Sequence, residues 1–156
     1  MPLDDLPVHR ADLVWQHTTG WLSVWYMNGK NMVSSQLLNP SQVVDGNWKV
    51  VGVGDFNLDG KPDLVWQHTN GLLSVWLMNG TNLVSAVYLN PAQVADPGWR
   101  IRAVIDLNGD GRTDLVWQHM STGWLSAWIM IDTTAVNMVW LNPSAIVPSW
   151  KVMGPR

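Results

Sequence analysis

The chain repeats itself, and no other feature constrains its fold as much. The hexapeptide Asp-Leu-Val-Trp-Gln-His stands at 12–17, 63–68 and 114–119, a spacing of 51 residues both times. A glycine follows each copy (Gly20, Gly71, Gly123), then Leu-Ser-Val-Trp twice and Leu-Ser-Ala-Trp once, then Met27, Met78 or Met130. Leu-Asn-Pro recurs at 38–40, 89–91 and 141–143, and each unit then reaches a Trp with a basic neighbour: Trp48-Lys49, Trp99-Arg100, Trp150-Lys151. The third copy gains one residue in "HMSTG" and loses one before Trp150, so the length changes fall in loops. Units of this kind bury their apolar faces against one another, not alone.

Turn signals cut each unit into four short strands. In the second unit strand A is 48–56, strand B 63–69, strand C 72–78 and strand D 83–90, with "PAQVADPG" leading to the next strand A. Nothing sustains a 3.6-residue apolar period with caps, so the fold class is all-β. A period near 50 with four strands per repeat marks a β-propeller blade. Blade 1 spans about 1–47, blade 2 about 48–98 and blade 3 about 99–149 of a single domain, 1–156. Propellers close with roughly four to eight blades. Three blades cannot close a ring, whereas two chains supply six, so a C2 homodimer is expected. Residues 1–11 offer no first strand, but "WKVMG" (150–154) matches "WKVVG" and is expected to complete the first blade of a partner. A three-blade piece of a longer propeller would present the same open faces.

Composition narrows the class of function. All twelve acids are Asp, and there is no Glu. Asp favours turns, caps and hard-metal sites over helix interiors. A formal charge of −3 without a Lys/Arg cluster argues against nucleic acid. No apolar run reaches 18 residues, which argues against membrane insertion. "MPLDDLPVHR" lacks an apolar core, so no signal peptide is expected there. Without Glu, Cys or a G-x-S-x-G motif, no catalysis is expected, and an enzyme would need an unusual Asp–His pairing such as Asp45 or Asp132 with a hairpin His.

Six of the twelve Asp fall in two matched loops, "DFNLDGKPD" and "DLNGDGRTD". The first offers Asp55, Asn57, Asp59, the Lys61 carbonyl and Asp63; the second offers Asp106, Asn108, Asp110, the Arg112 carbonyl and Asp114. Oxygens at positions 1, 3, 5, 7 and 9 of a tight loop suit Ca²⁺, here two ions per chain. An Asx-rich turn without metal is the plain alternative. Unlike an EF-hand, each loop ends in Asp at position 9 and runs into a strand. The first unit retains only Asp4 and Asp12 and has lost the glycine, so no tight site is expected there. Dependence on calcium favours an extracellular or periplasmic setting.

The pattern D-x-N-x-D-G-x-x-D-L-V after a β-strand resembles the FG-GAP/VCBS repeats of integrin-α-type propellers. The resemblance is strong in units two and three and weak over residues 1–11. It implies a propeller with calcium in the A–B hairpins. Where many members continue with Gly-Ala-Pro this chain has Trp-Gln-His, so it is nearer the bacterial VCBS type. Such repeats occur in adhesion proteins, lectins and modules appended to secreted enzymes.

Trp15, Trp66, Trp117, Trp25, Trp76 and Trp128 repeat in every unit and read as inter-blade core; Trp48, Trp99 and Trp150 read as core or rim. Trp21 and Trp124 follow the B–C glycine, where a half-exposed ring can stack on a sugar. Gln16/His17, Gln67/His68 and Gln118/His119 end strand B, either bonding the following turn or lining an inter-blade cleft with Asn39, Asn90 and Asn142. The expected function is a calcium-stabilised binding module, a lectin with repeated sites. The alternative is a scaffold that binds protein partners on the same face or a fragment of a larger secreted adhesion protein.

Overall fold

The computed structural model describes residues 12–155; Asp4 and the rest of the segment 1–11 lie outside the described residues. Among those described there are eleven strands and no helix. Unit 1 contributes β1 (Leu13–Gln16), β2 (Trp21–Asn28) and β3 (Asn31–Gln42). Unit 2 contributes β4 (Trp48–Gly54), β5 (Asp63–His68), β6 (Leu72–Asn79) and β7 (Asn82–Gln93). Unit 3 contributes β8 (Trp99–Ile105), β9 (Asp114–His119), β10 (Trp124–Ile131) and β11 (Thr134–Ala145).

Each unit is an antiparallel meander whose register follows from tight turns. The turn before the last strand passes through Gly29, Gly80 or Asp132, all at positive φ. Asp tolerates that left-handed backbone better than most residues, which lets unit 3 dispense with the glycine. At the opposite end Gly71 is held at φ +95, and a Cβ there would stand 2.3 Å from the Val94 carbonyl oxygen. Val94 N–H donates to the Gly71 carbonyl, so the last strand folds back onto this turn and leaves no space for a side chain. Gly20 and Gly123 repeat the contact with Val43 and Ile146.

The last strand departs from the sequence expectation. It runs past Asn90-Pro91 to Gln93 instead of stopping at residue 90. Pro91 is accommodated because the pairing skips there, from Ser74↔Tyr88 to Leu72↔Gln93, so no ladder N–H is needed. The bulged Asn turns outward to the next unit: Asn39 N–H donates to Thr81 O and Asn90 N–H to Thr133 O. Single parallel contacts at Asn39↔Asn82 and Asn90↔Thr134 thus join the meanders into one eleven-stranded sheet that does not close. Asn39 and Asn90 therefore meet the neighbouring unit's turn, away from the Gln-His pairs.

The core lies between units. Leu22 and Leu38 of unit 1 pack against Leu64, Trp66 and Met78 of unit 2. Val65, Leu73 and Val75 of unit 2 pack against Ile101, Leu115, Trp117 and Trp128 of unit 3. Burial thus depends on having a neighbour. The same Leu-Val-Trp-Gln is entirely buried in β5 and β9 but alternately exposed in β1. Trp15 is 46% exposed where Trp66 and Trp117 are 1%. The expectation of core for Trp15 and Trp25 is corrected accordingly: among the described residues nothing covers that face.

Candidate functional site

The junction between units gathers most of the residues singled out in the sequence, and the Gln of each hexapeptide is its fastener. Gln67 Nε2 donates to Trp99 O at 2.9 Å, and Ile101 N–H donates to Gln67 Oε1 at 3.1 Å. Gln16 makes the same two bonds to Trp48 O and Val50 N–H, and Gln118 to Trp150 O and Val152 N–H. One amide supplies a donor and an acceptor to a strand that begins the following unit. Gln67 and Gln118 are buried, so these amides clasp a neighbour's backbone and do not line an open cleft.

The histidines do brace their own turns. His17, His68 and His119 accept at Nδ1 from the N–H of Thr19, Asn70 and Thr122. In two of them Nε2 meets a carboxylate on the loop that leads into the Trp opening the same unit: His68 with Asp45 at 3.1 Å and His119 with Asp96 at 2.9 Å. Trp48 and Trp99 then stand edge-on to these imidazoles, with centroids 5.0 and 5.3 Å apart. Ser121 Oγ also reaches His119 Nδ1 at 3.2 Å, giving a Ser121–His119–Asp96 sequence of contacts. Because Thr122 N–H shares that nitrogen and Ser121 lies two residues away, this is turn geometry. Asp132 pairs with Arg112 and, among the described residues, with no histidine.

The Gly98 N–H, 2.7 Å from Asp96 Oδ1, holds the Asp96 carboxyl below the usual carboxylate range, and His119 adds to the effect. Asn47 N–H and His68 act alike on Asp45, against a smaller opposing pull from desolvation. A depressed folded value means the contribution is complete above the ordinary Asp range and is lost as pH falls through the depressed one. An NMR titration should therefore find the Asp96 midpoint low. His119→Ala should move it only partway back, because the Gly98 N–H remains; full recovery would assign the shift to the histidine.

The aspartate that opens each hexapeptide is a brace between strands. Asp63 is wholly buried; its Oδ1 accepts Met78 N–H at 2.9 Å and its Oδ2 accepts Phe56 N–H at 2.9 Å. Asp114 does the same with Met130 and Leu107, and Asp12 retains one such bond, to Met27 N–H. That explains why unit 1 keeps this Asp without the loop. Burial pushes the Asp63 carboxyl up; the two N–H bonds oppose this, and the Asp59 and Asp55 carboxylates add to the rise.

The other loop residues curl inward through their own backbone. Asp55 accepts the N–H groups of Asp59 and Gly60, Asn57 that of Asp59, and Asp59 that of Lys61. Asp106, Asn108 and Asp110 repeat this toward residues 109–112, Arg112 included. Among the described residues no three His or Asp side chains converge as a ready metal cluster. Leu58 holds φ 57 where unit 3 has Gly109 at φ 78. Leu58→Gly should raise stability by about 0.5–1 kcal/mol, the relieved left-handed strain exceeding the glycine's chain-entropy cost. A urea denaturation series reads this, and a loss of stability would refute it.

Cavities recur beside the fasteners. Between units 1 and 2 a cavity of about 240 Å³ is lined by Trp48, Trp66, Ser74 and Trp76, among others. Between units 2 and 3 one of about 400 Å³ is lined by the equivalent Trp99, Trp117, Ser126 and Trp128, with Asp96 and Met138. Trp66 Nε1 and Trp117 Nε1 are buried without a hydrogen-bond partner. At unit 3 the rings continue outward: Trp99 to Trp140 at 6.0 Å, Trp140 to Trp124 at 5.9 Å, and Trp124 to His119 at 6.4 Å. Trp124 and Trp21 are about half exposed, and Trp140 is 60% exposed. Sequence reasoning missed Trp140 and Ser126. Their only signal was position, since Tyr88 and Ser74 hold the same places in unit 2.

Residues 55–117 match the family model of the FG-GAP-like repeat, a stretch that takes in both Asp-rich loops. Over those residues the chain is similar to an FG-GAP-like repeat. No curated protein and no solved structure matches the chain. FG-GAP-type repeats are in general binding folds without catalysis.

Proposed function

We propose that this FG-GAP-type chain is a calcium-stabilised, lectin-like module whose units are propeller blades and whose sugar sites lie at the junctions between them. One observation carries the reading: cavities with equivalent Trp–Ser–Trp linings occur at both junctions. A sugar offers flat C–H faces for the Trp rings and hydroxyl groups for Ser74 and Ser126 in the linings. The exposed Trp124 and Trp140 provide further stacking surface, and the sparse charge suits a neutral ligand.

Calcium, two ions per chain, is part of the proposal. The donor set fits in kind, since Asp55, Asn57, Asp59, the Lys61 carbonyl and Asp63 are all hard oxygens, as are their unit 3 counterparts. A divalent ion would offset the mutual repulsion around Asp63 and hold the hairpin closed. Its role is architectural, and sites of this kind suit an extracellular or periplasmic setting, where calcium is millimolar.

A glycan array in calcium, repeated after chelation, tests both parts. Defined sugar binding that weakens on chelation is expected. Trp124→Ala and Trp140→Ala should each reduce affinity about tenfold, the equivalent of one lost stacking contact, with the far-UV spectrum unchanged. A blank array from folded protein would reject the lectin reading and favour a protein ligand on the same face.

A further inference from the structure

Half of an additional junction is already assembled within the chain. Residues 150–152 are held by Gln118 through the same pair of bonds, at 2.7 and 3.0 Å, that Gln16 and Gln67 make to β4 and β8. The preceding turn is the same too: Trp150 N–H donates to Val147 O as Trp48 N–H does to Asp45 O. Arg102 Nε donates to Val152 O and fixes the segment beside β8. The segment therefore lies where a first strand lies, yet no strand pairs with it among the described residues, and Trp150 is 69% exposed.

The other half stands at the opposite end. Among the described residues β1 pairs with β2 alone. Trp15 and Trp25 are nonetheless set 4.7 Å apart at 44°, the arrangement of Trp66–Trp76 and Trp117–Trp128, which are both 4.8 Å apart at 47° and 48°. A face shaped like two buried ones but left open calls for the same cover, the apolar side of a preceding unit together with a first strand opening on Trp.

We propose that a second copy of this chain provides that cover, so that residues 150–152 of each copy pair with β1 of the other. Trp150 then stands against His17 as Trp48 stands against His68. Val147 occupies the place of Asp45 and Asp96, so His17 lacks a carboxylate there and keeps its contact with Thr19 Oγ1 at 2.7 Å. The contact, made twice about a twofold axis, removes both open edges and joins six units, within the four to eight a propeller takes. Each seam also builds a junction cavity from Trp15, Ser23 and Trp25 of one copy and Ile146 and Trp150 of the other. That cavity's ligand rests on the lectin reading above; the pairing does not.

Light-scattering mass of the 156-residue protein decides the pairing independently of any ligand. Twice 17.5 kDa is expected. Trp15→Ala and Trp150→Ala should each return a single-copy mass with an unchanged far-UV spectrum, because both side chains are exposed in one chain. A single-copy mass for the unaltered protein overturns the proposal. So does a ladder of larger species, or a pair that survives both substitutions.

Discussion

Asp63→Ala is expected to be the most damaging conservative-sized change in the chain, costing on the order of 3–5 kcal/mol. It strips the acceptor from Met78 N–H and Phe56 N–H in a wholly buried place. Each orphaned donor costs roughly 1–3 kcal/mol, and bonds to a charged group lie toward the upper end. For a chain of this size that corresponds to a fall in Tm of roughly 10 °C. Asp63→Asn should cost about half, since it keeps one acceptor oxygen but turns an amide N–H toward a backbone donor. Asp12→Ala, with its single bond at 3.1 Å, should cost about 1 kcal/mol or less. Thermal unfolding in chelator isolates the brace; any extra loss in calcium measures the ion's share. Equal stability of Asp63→Ala and the unaltered protein in chelator would remove the brace from the account.

The second large effect is expected at the fastener. Gln67→Ala should cost on the order of 3 kcal/mol, leaving Trp99 C=O and Ile101 N–H without partners beside the buried face of unit 3. Gln67→Glu should be worse, because one carboxylate oxygen faces the Trp99 carbonyl and a charge enters a buried position. Gln16→Ala should be milder, as Gln16 is only partly buried. Urea unfolding of the three variants gives this order; a Gln16→Ala cost equal to that of Gln67→Ala would detach the effect from burial.

The strands were legible in the sequence because period, glycine turns and the Trp-basic boundary all agree within one unit. What escaped reading was non-local. Gln67 meets atoms 32 and 34 residues on, and His68 meets Asp45 across 23 residues, so neither pairing leaves a local pattern. The last strand was cut short at Pro91 because a proline normally ends a ladder, and the skipped pairing that admits it has no sequence signature. The loop pattern marks Asp63 as a calcium donor; that it also accepts from two backbone N–H groups depends on β5, β6 and the loop start coming together in space. Trp15 and Trp66 sit in identical hexapeptides, so no reading of the hexapeptide could separate an exposed ring from a buried one.

The Gln fastener touches only main-chain atoms: the carbonyl of a Trp and the N–H two residues later. It therefore accepts Trp48-Lys49-Val50, Trp99-Arg100-Ile101 and Trp150-Lys151-Val152 without discrimination. A joint blind to side chains lets each unit drift in sequence without loosening its hold on the next. Of the two things that join neighbouring units, the amide bonds and the packed apolar faces, only the second restricts which units can stand side by side.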